Sequence, residues 1–384
     1  MLTDSKIYIF VPVLKTGGPH SLHQLGYAMA QNGINVYMVY YNDRNQDTIV
    51  YEEYSDLLKV AHEIEDSCNN YLITPETSTA FIYRYRHIKK IIWWLSRDYF
   101  LDADLKKRLI LNFQDKIHLP AKLIEFSFPL LKARYIHKRR KLELFSIDFY
   151  FVCASDLTHK DVVLHLYNCE HAHQYIKKLG IPEEKTAYLC GPIDKEFVML
   201  EKAHCISEKK NMIAYNPAKV TPELIEIISK IVLAERTDIS FLKIQNMTPA
   251  QVRAALKQSK VYLDLGFFPG PERIPREAVS LYCNLLTSKT GAAKNEIDVP
   301  IPEKYKFDIN NNPEVYRQIA ESLIDLIDHY EEHIEEFEPY RLKVTQQIKE
   351  FDQRVKMILD RLSTSRPKQG VRKNTSFSSA KKER

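Results

Sequence analysis

Two α/β domains, each built on a parallel sheet and facing the other across a cleft, are what this sequence predicts. Three observations carry that expectation. Apolar runs of strand length alternate with stretches of helical spacing, and the alternation occurs twice along the chain. Between the two series the hydrophobic pattern breaks through residues 201–210, which are polar and charged. In each half, a loop bearing Gly, Pro or charge follows a strand, at the carboxyl edge where open α/β sheets bind ligands.

Length and composition bound the answer. A chain of 384 residues fits two domains, and with 45% hydrophobic residues it builds a sizeable core without disulfides or metal. The six cysteines are scattered and form no CxxC pair, which predicts free thiols in a reducing cytosol, with no metal site and no cofactor. No apolar run approaches the ~18 residues of a membrane span. Residues 6–13 resemble a signal peptide only superficially and read as the first buried strand: the run is short, lacks a small-residue cleavage site, and precedes a glycine turn. From residue 361 onward, eight Lys or Arg stand against one Glu, so the net charge of +5 sits in the tail and the body is near neutral. A basic, aromatic-studded face within the folded region is missing, and nucleic acid is not an expected partner.

In chain order, residues 7–13 form a strand, and Gly17 and Gly18 precede a helix carrying Leu22, Leu25, Ala28 and Met29 at helical spacing. Gly33 suits its end, and residues 36–40 make the next strand. The two glycines let a ligand approach the backbone at a helix N-terminus, which favours an anion or a polar sugar. A plain strand-to-helix turn fits them equally. They do not match GxGxxG, so no dinucleotide is inferred. Residues 71–74 end in Pro75-Glu76, and 91–95 in Ser96-Arg97-Asp98. A carboxylate just past a buried strand is placed to act as a general base, or else caps a helix or meets solvent. Asp98 is preferred, because its strand holds Trp93 and Trp94.

Between residues 97 and 145 the pattern turns helical, with Lys132, Arg134, Lys138, Arg139, Arg140 and Lys141 beside Leu130, Leu131, Tyr135 and Ile136. Such a face lies on an anionic membrane or simply in water. Strands follow at 149–153, 162–167 and 188–190, with a helix over 171–179. The second half restarts with a strand at 212–215, followed by Lys219. It continues with a helix bearing Leu224, Ile225, Ile228 and Val232, a strand at 241–244, and a helix over 249–258. Residues 262–293 then run strand, Pro-Gly-Pro loop, charges, helix and strand, the charges being Glu272, Arg273, Arg276 and Glu277. Pro275 suits a helix start close to it. Val344, Ile348, Phe351, Val355, Ile358 and Leu362 mark a final apolar seam, and a Ser-, Lys- and Arg-rich tail follows.

Residues 262–293 resemble the nucleotide-sugar site of GT-B glycosyltransferases, in which a loop, a Pro, Glu-Ala opening a helix, and a Gly turn after the next strand recur. The resemblance implies two Rossmann-like domains with parallel sheets facing a cleft and C-terminal helices packing back across both; the tail's composition predicts that it is basic and disordered. It implies that Glu277 accepts hydrogen bonds from the donor ribose, and that Lys219, Arg273 and Arg276 meet the diphosphate. Gly17 and Gly18 would face the cleft, and His20 becomes a candidate base or acceptor contact beside Asp98 and Glu76. One departure stands out. Members with paired glutamates place another Glu eight residues before the first, where this chain has Pro269, and Glu272 is the nearest substitute.

The expected organisation is an acceptor-side domain over 1–195, a donor-binding domain over 196–330, returning helices over 331–362 and the tail over 363–384. The expected activity is transfer of a sugar from a nucleotide sugar to a glycan or lipid-linked acceptor in surface-polysaccharide synthesis. The expected setting is cytoplasmic, peripheral on an anionic membrane face. A nucleotide-sugar epimerase and a silent binding module of the same fold are the rival readings.

Overall fold

The computed structural model of the protein describes residues 2, 4–43, 45–102, 120–140 and 154–364. Among these residues, strands form two sheets whose pairs are all parallel. The first comprises β1 (Lys6–Val11), β2 (Asn35–Tyr40), β3 (Lys59–Val60), β4 (Tyr71–Pro75), β5 (Lys89–Trp94), β6 (Val162–Tyr167) and β7 (Thr186–Tyr188), in the order β3-β2-β1-β4-β5-β6-β7. The second comprises β8 (Lys210–Tyr215), β9 (Ser240–Lys243), β10 (Ser259–Asp264), β11 (Asn284–Ser288) and β12 (Lys306–Phe307), in the order β12-β11-β10-β8-β9. Central strands such as β1 and β5 are buried along nearly their whole length, as a parallel sheet covered on both faces requires.

Helices cover both sheets. The first domain carries α1 (Gly17–Gln31), α2 (Arg97–Asp102), α3 (Ala121–Arg140) and α4 (Glu170–Lys178). The second carries α5 (Lys202–Ser207), α6 (Pro222–Glu235), α7 (Pro249–Gln258), α8 (Arg273–Ser280), α9 (Pro313–Asp328) and α10 (Tyr330–His333). The strand expected at 188–190 falls at β7 instead. The strand expected at 149–153, and much of the helical stretch over 97–145, including Lys141, lie outside the described residues.

The handover between domains comes earlier than residue 195. Leu189 packs into the first core, whereas Ile193, Phe197 and Cys205 pack into the second, so the chain crosses at residues 190–192. The polar stretch expected to be linker contains α5, a short helix whose only buried residue is Cys205. One buried position carries no periodicity, which is why the sequence pattern hides it.

The last helix, α11 (Glu338–Thr364), crosses both domains. Tyr340 and Val344 join the second core, while Phe351, Val355, Ile358, Leu359 and Leu362 join the first. The apolar seam is therefore consumed within the chain rather than on a partner helix. Polar ties reinforce it: Gln347 donates to the Tyr188 hydroxyl at 2.8 Å, and Tyr71 donates to the Leu362 carbonyl at 3.2 Å. The helix runs two residues past the expected 362, and the tail expected to be disordered falls outside the described residues after that.

A second tie is a helix cap supplied across the domain boundary. The residue preceding α4, Cys169, makes no side-chain cap. Instead Asp298, from the second domain, accepts from the N–H groups of Glu170 at 2.7 Å and His171 at 2.9 Å. The carboxylate satisfies two donors that every helix start leaves open.

Candidate functional site

The carboxyl edges of both sheets open onto one cavity of about 910 Å³. The first wall begins at α1. Thr16, before its first turn, makes no side-chain cap, and Pro19 has no N–H to satisfy, so the positive end of the helix faces the cavity with its first amides uncapped by side chains. A Cβ on Gly17 would meet nothing within 4 Å, and one on Gly18 would meet only Leu95 Cδ1 at 3.6 Å. Packing does not demand glycine at either position; the space over them belongs to the cavity.

His20 sits one turn further on. Arg273 can only donate, so its contact of 2.6 Å makes His20 Nδ1 the acceptor, and Nε2–H then donates to the Tyr54 hydroxyl at 3.0 Å. Burial, helped by the Arg273 charge, lowers the imidazole pKa to about 4, so the ring is neutral at physiological pH. Glu76 follows β4 on the cavity floor and accepts from the Leu95 N–H at 2.8 Å. Burial raises its pKa to about 8.

Asp98, preferred over Glu76 from sequence, is placed differently. It lies in the first turn of α2, 2.9 Å from His171 Nε2 and 3.3 Å from Arg97 Nε, and does not line the cavity. The chain turns into α2 directly after Ser96 and carries Asp98 towards α4. Of the two carboxylates, Glu76 is the one that reaches the cleft.

The second wall is charged. Lys219 follows β8 in a turn closed by its own N–H to the Asn216 carbonyl, and its ammonium donates to the Phe267 carbonyl at 2.8 Å and pairs with Glu272 Oε2 at 2.8 Å. The helix expected near Pro275 starts two residues earlier, at Arg273, with Pro275 inside the first turn, where an N–H would find no intrahelical acceptor. Glu277 is therefore one turn in, and its partner is a side chain rather than the helix dipole. Its Oε1 accepts from Arg273 Nε at 2.6 Å, and burial holds the carboxyl above its usual range against the pull of Arg273. Arg273 also donates to Asp194 Oδ2 at 2.6 Å, so one guanidinium joins the first wall, the segment just past the crossover and the second wall.

Arg276 takes another course. Its Nη1 donates to the Gly191 carbonyl at 2.9 Å and to Gln347 Oε1 at 3.4 Å, tying α8 to the crossover and to α11. The loop before α8 closes on the first domain at Gly270, where a Cβ would stand 2.7 Å from the Leu95 carbonyl oxygen. Gly291, with φ of +49° and its would-be Cβ 1.8 Å from the Phe268 carbonyl oxygen, fixes the turn after β11.

Several cavity residues escaped the sequence reading. Asp264 ends β10 and is buried; burial raises its pKa to about 7 against the opposing charge of Lys219, and its Oδ1 accepts from the Gly266 N–H at 3.2 Å. The signal was present, an acid closing a buried strand at the ligand edge, as with Glu76. Ser96 Oγ and Asn168 Oδ1 also border the cavity, and each is buried without a hydrogen-bond partner among the described residues. Nothing in the sequence marks these two, since their importance lies in what surrounds them.

Two parallel-sheet domains with their carboxyl edges on a shared cleft, bound by a returning C-terminal helix, define this chain as a protein of the GT-B fold. Solved structures of that fold match almost end to end. TarM superposes with a TM-score of 0.59 at 10% identity, covering 94% of this chain and 98% of its own. Sucrose-phosphate synthase from Thermosynechococcus elongatus gives 0.59 at 10% identity, covering 94% and 100%. Anabaena HepE in complex with UDP gives 0.56 at 11% identity, covering 94% and 100%. No protein-family model and no curated protein matches the chain.

Proposed function

We propose that this protein is a glycosyltransferase that takes a nucleotide-sugar donor and passes the sugar to an acceptor hydroxyl. The observation that carries the reading is convergence. The N-terminus of α1, Lys219, and the Arg273–Glu277 pair all border one cavity at the carboxyl edges of two sheets. Departure of a diphosphate needs positive charge aimed at where the negative charge develops. Lys219, Arg273 and the α1 amides supply it, and Arg276 holds α8 in register beside them. Glu277 takes the donor ribose. On the opposite wall, Ser96 and Asn168 offer unfilled hydrogen-bond capacity to hydroxyl groups, and Glu76 is the acid–base group nearest them in kind. His20, with its lone pair held by Arg273, serves as a polar contact rather than a base.

HepE has been solved with UDP and with UDP-glucose, which makes uridine nucleotides the first donors to test. The acceptor we propose is a glycan or lipid-linked chain of surface-polysaccharide synthesis, met at an anionic membrane. Support for the membrane comes from α3, where Leu123, Phe126 and Leu130 are all exposed along one helix. Among the described residues no helix is long and apolar enough to cross a membrane, so the attachment in this reading is peripheral.

A thermal-shift panel of UDP, GDP, CDP and dTDP with their sugars tests the donor site, because a ligand at a hundred times its Kd stabilises by about 2.7 kcal/mol. One nucleotide should stand out. NMR of the donor alone then separates transfer from epimerisation, which would consume donor without acceptor. Binding without turnover towards any acceptor would favour the silent module, and no response to any nucleotide would remove the donor site altogether.

A further inference from the structure

The amino ends of the second sheet's strands carry a cluster that the cleft does not use. Lys260, at the start of β10, donates to the Ile327 carbonyl at 3.1 Å, and Asn284, at the start of β11, donates to the Leu326 carbonyl at 3.2 Å. These bonds fix the end of α9 on the edge opposite the cavity. Beyond that end, Asp325, His329 and His333 follow one another at helical spacing across the junction of α9 and α10. They bring one carboxylate and two imidazoles together, with a ligand atom from each lying within 4.8 Å of the others.

The arrangement around His333 is the decisive part. Its Nδ1 lies 2.7 Å from Glu336 Oε1 and 3.2 Å from the Tyr305 hydroxyl. A carboxylate there makes Nδ1 the donor, so Nε2 is the ring nitrogen left to serve as a metal ligand, on the side of Asp325. That Nε2 is buried and makes no hydrogen bond, although Asp325 Oδ2 stands 2.9 Å away. The contact is off the line that a hydrogen bond needs, so neither atom is satisfied by the other along a hydrogen-bond axis. They suit two ligands of one cation, since in a tetrahedral site neighbouring ligand atoms are off each other's lone-pair axes and about 3.3 Å apart when each bond is about 2.0 Å. His329 Nδ1, hydrogen-bonded to Asp325 Oδ1 at 2.9 Å, completes the set, the ion taking the place of the proton between them.

We propose that Asp325, His329 and His333 form a binding site for a divalent transition-metal ion of the zinc type. Two imidazoles and one carboxylate suit zinc better than the oxygen-only coordination that magnesium and calcium prefer. Glu336 orients His333 from behind, in the manner of a carboxylate–histidine–metal chain, and shares its charge with Lys304 at 3.0 Å. His329 and Asp325 are half exposed, so the ion enters from solvent and keeps water in the remaining position. The ion clasps the end of α9 to α10, at the edge of the domain away from the cleft.

The test uses the untagged full chain, stripped with EDTA and titrated with zinc ion alone in competition with a chromogenic chelator. The expected result is one equivalent whose affinity falls at least tenfold in His329→Ala and in Asp325→Asn. Both changes fall on half-exposed side chains, so circular dichroism should be unaltered. Cobalt in place of zinc should give visible absorption of a tetrahedral centre that disappears in His329→Ala. Equal zinc affinity in the parent and both variants would overturn the proposal, as would failure of the parent to take up zinc at micromolar concentration.

Discussion

On the wall that comes from the first sheet, the buried histidine and carboxyl at the cavity are uncharged near neutral pH: His20 has lost its proton affinity through burial, and Glu76 retains its proton for the same reason. The wall from the second sheet holds ion pairs, Lys219 with Glu272 and Arg273 with Glu277 and Asp194, beside Arg276 on the Gly191 carbonyl and the buried Asp264. The two walls are built from equivalent strand-to-helix loops, so topology is not the cause of the difference. Desolvation without a partner neutralises a group, whereas desolvation beside an opposite charge preserves it. A neutral wall suits hydroxyl-bearing ligands, and a wall of paired ions suits a diphosphate that exchanges partners with them.

The sharpest way to break that contrast is at Glu277. Its carboxylate holds Arg273 and, in the proposed function, the donor ribose. Glu277→Ala is expected to weaken binding of the preferred nucleotide by about ten- to a hundredfold, since truncating a buried, hydrogen-bonded charge costs roughly 2 kcal/mol or more. Isothermal titration measures this, with circular dichroism as the check on folding. Unchanged affinity would sink the assignment.

The cleft itself depends on ties that cross it. Removing the carboxylate that caps α4 from the other domain, by Asp298→Ala, is expected to cost about 1–2 kcal/mol, the usual effect of losing a helix cap. Hydrogen exchange at the amides of Glu170 and His171 should speed up, and small-angle scattering should report a more open pair of domains. Parallel exchange in variant and parent would mean that α11 and the Arg273–His20 bond hold the domains together without the cap.

Sequence reading recovered what is periodic or local. Strands with continuous apolar runs and helices with an apolar stripe declare themselves, and so do the charged loop over residues 262–293 and the two glycines that open α1. What it missed depends on distance in sequence. The bond from Arg273 to His20 spans 253 residues, and the cap from Asp298 to Glu170 spans 128. No local pattern encodes either. The choice of Asp98 over Glu76 failed to anticipate one feature, the direction of the turn after Ser96, because strand apolarity says how deep a strand lies and not where the next residue points. Arg276, which the GT-B resemblance groups with the phosphate-facing cations, lines the cavity, and no local pattern shows that its Nη1 also meets the Gly191 carbonyl.

The neutral wall yields a pH prediction. Glu76 has a folded pKa of about 8 against an ordinary value of 4.5. Below 4.5 the carboxyl is protonated in both the folded and unfolded chains, and its favourable contribution is fully present. As pH rises, the unfolded chain ionises first, so stability is lost progressively until the pH passes about 8. Glu76→Gln removes that dependence. Urea unfolding of both proteins between pH 5 and pH 8 should show the variant gaining on the parent as pH rises; stability curves that stay parallel would mean Glu76 is ionised in the folded protein.

The smallest effect expected, and the one with the opposite sign, belongs to the charged wall. Lys219 and Glu272 are each about one-fifth exposed, so their pair lies between a surface ion pair and a buried one. If the diphosphate takes Lys219 from Glu272 on binding, then the cost of breaking that pair is subtracted from every donor's affinity. Glu272→Gln keeps the shape and removes the competing charge, and Lys219 retains the Phe267 carbonyl as its hydrogen-bond acceptor. Nucleotide affinity should therefore rise by a few-fold, in line with the ~0–1 kcal/mol of a partly exposed pair. The gain should shrink as salt is raised, because screening weakens the interaction between Glu272 and the incoming phosphates along with the pair itself. A loss of affinity would instead give Glu272 a direct role in holding the donor, and would place it in the position that Pro269 leaves vacant.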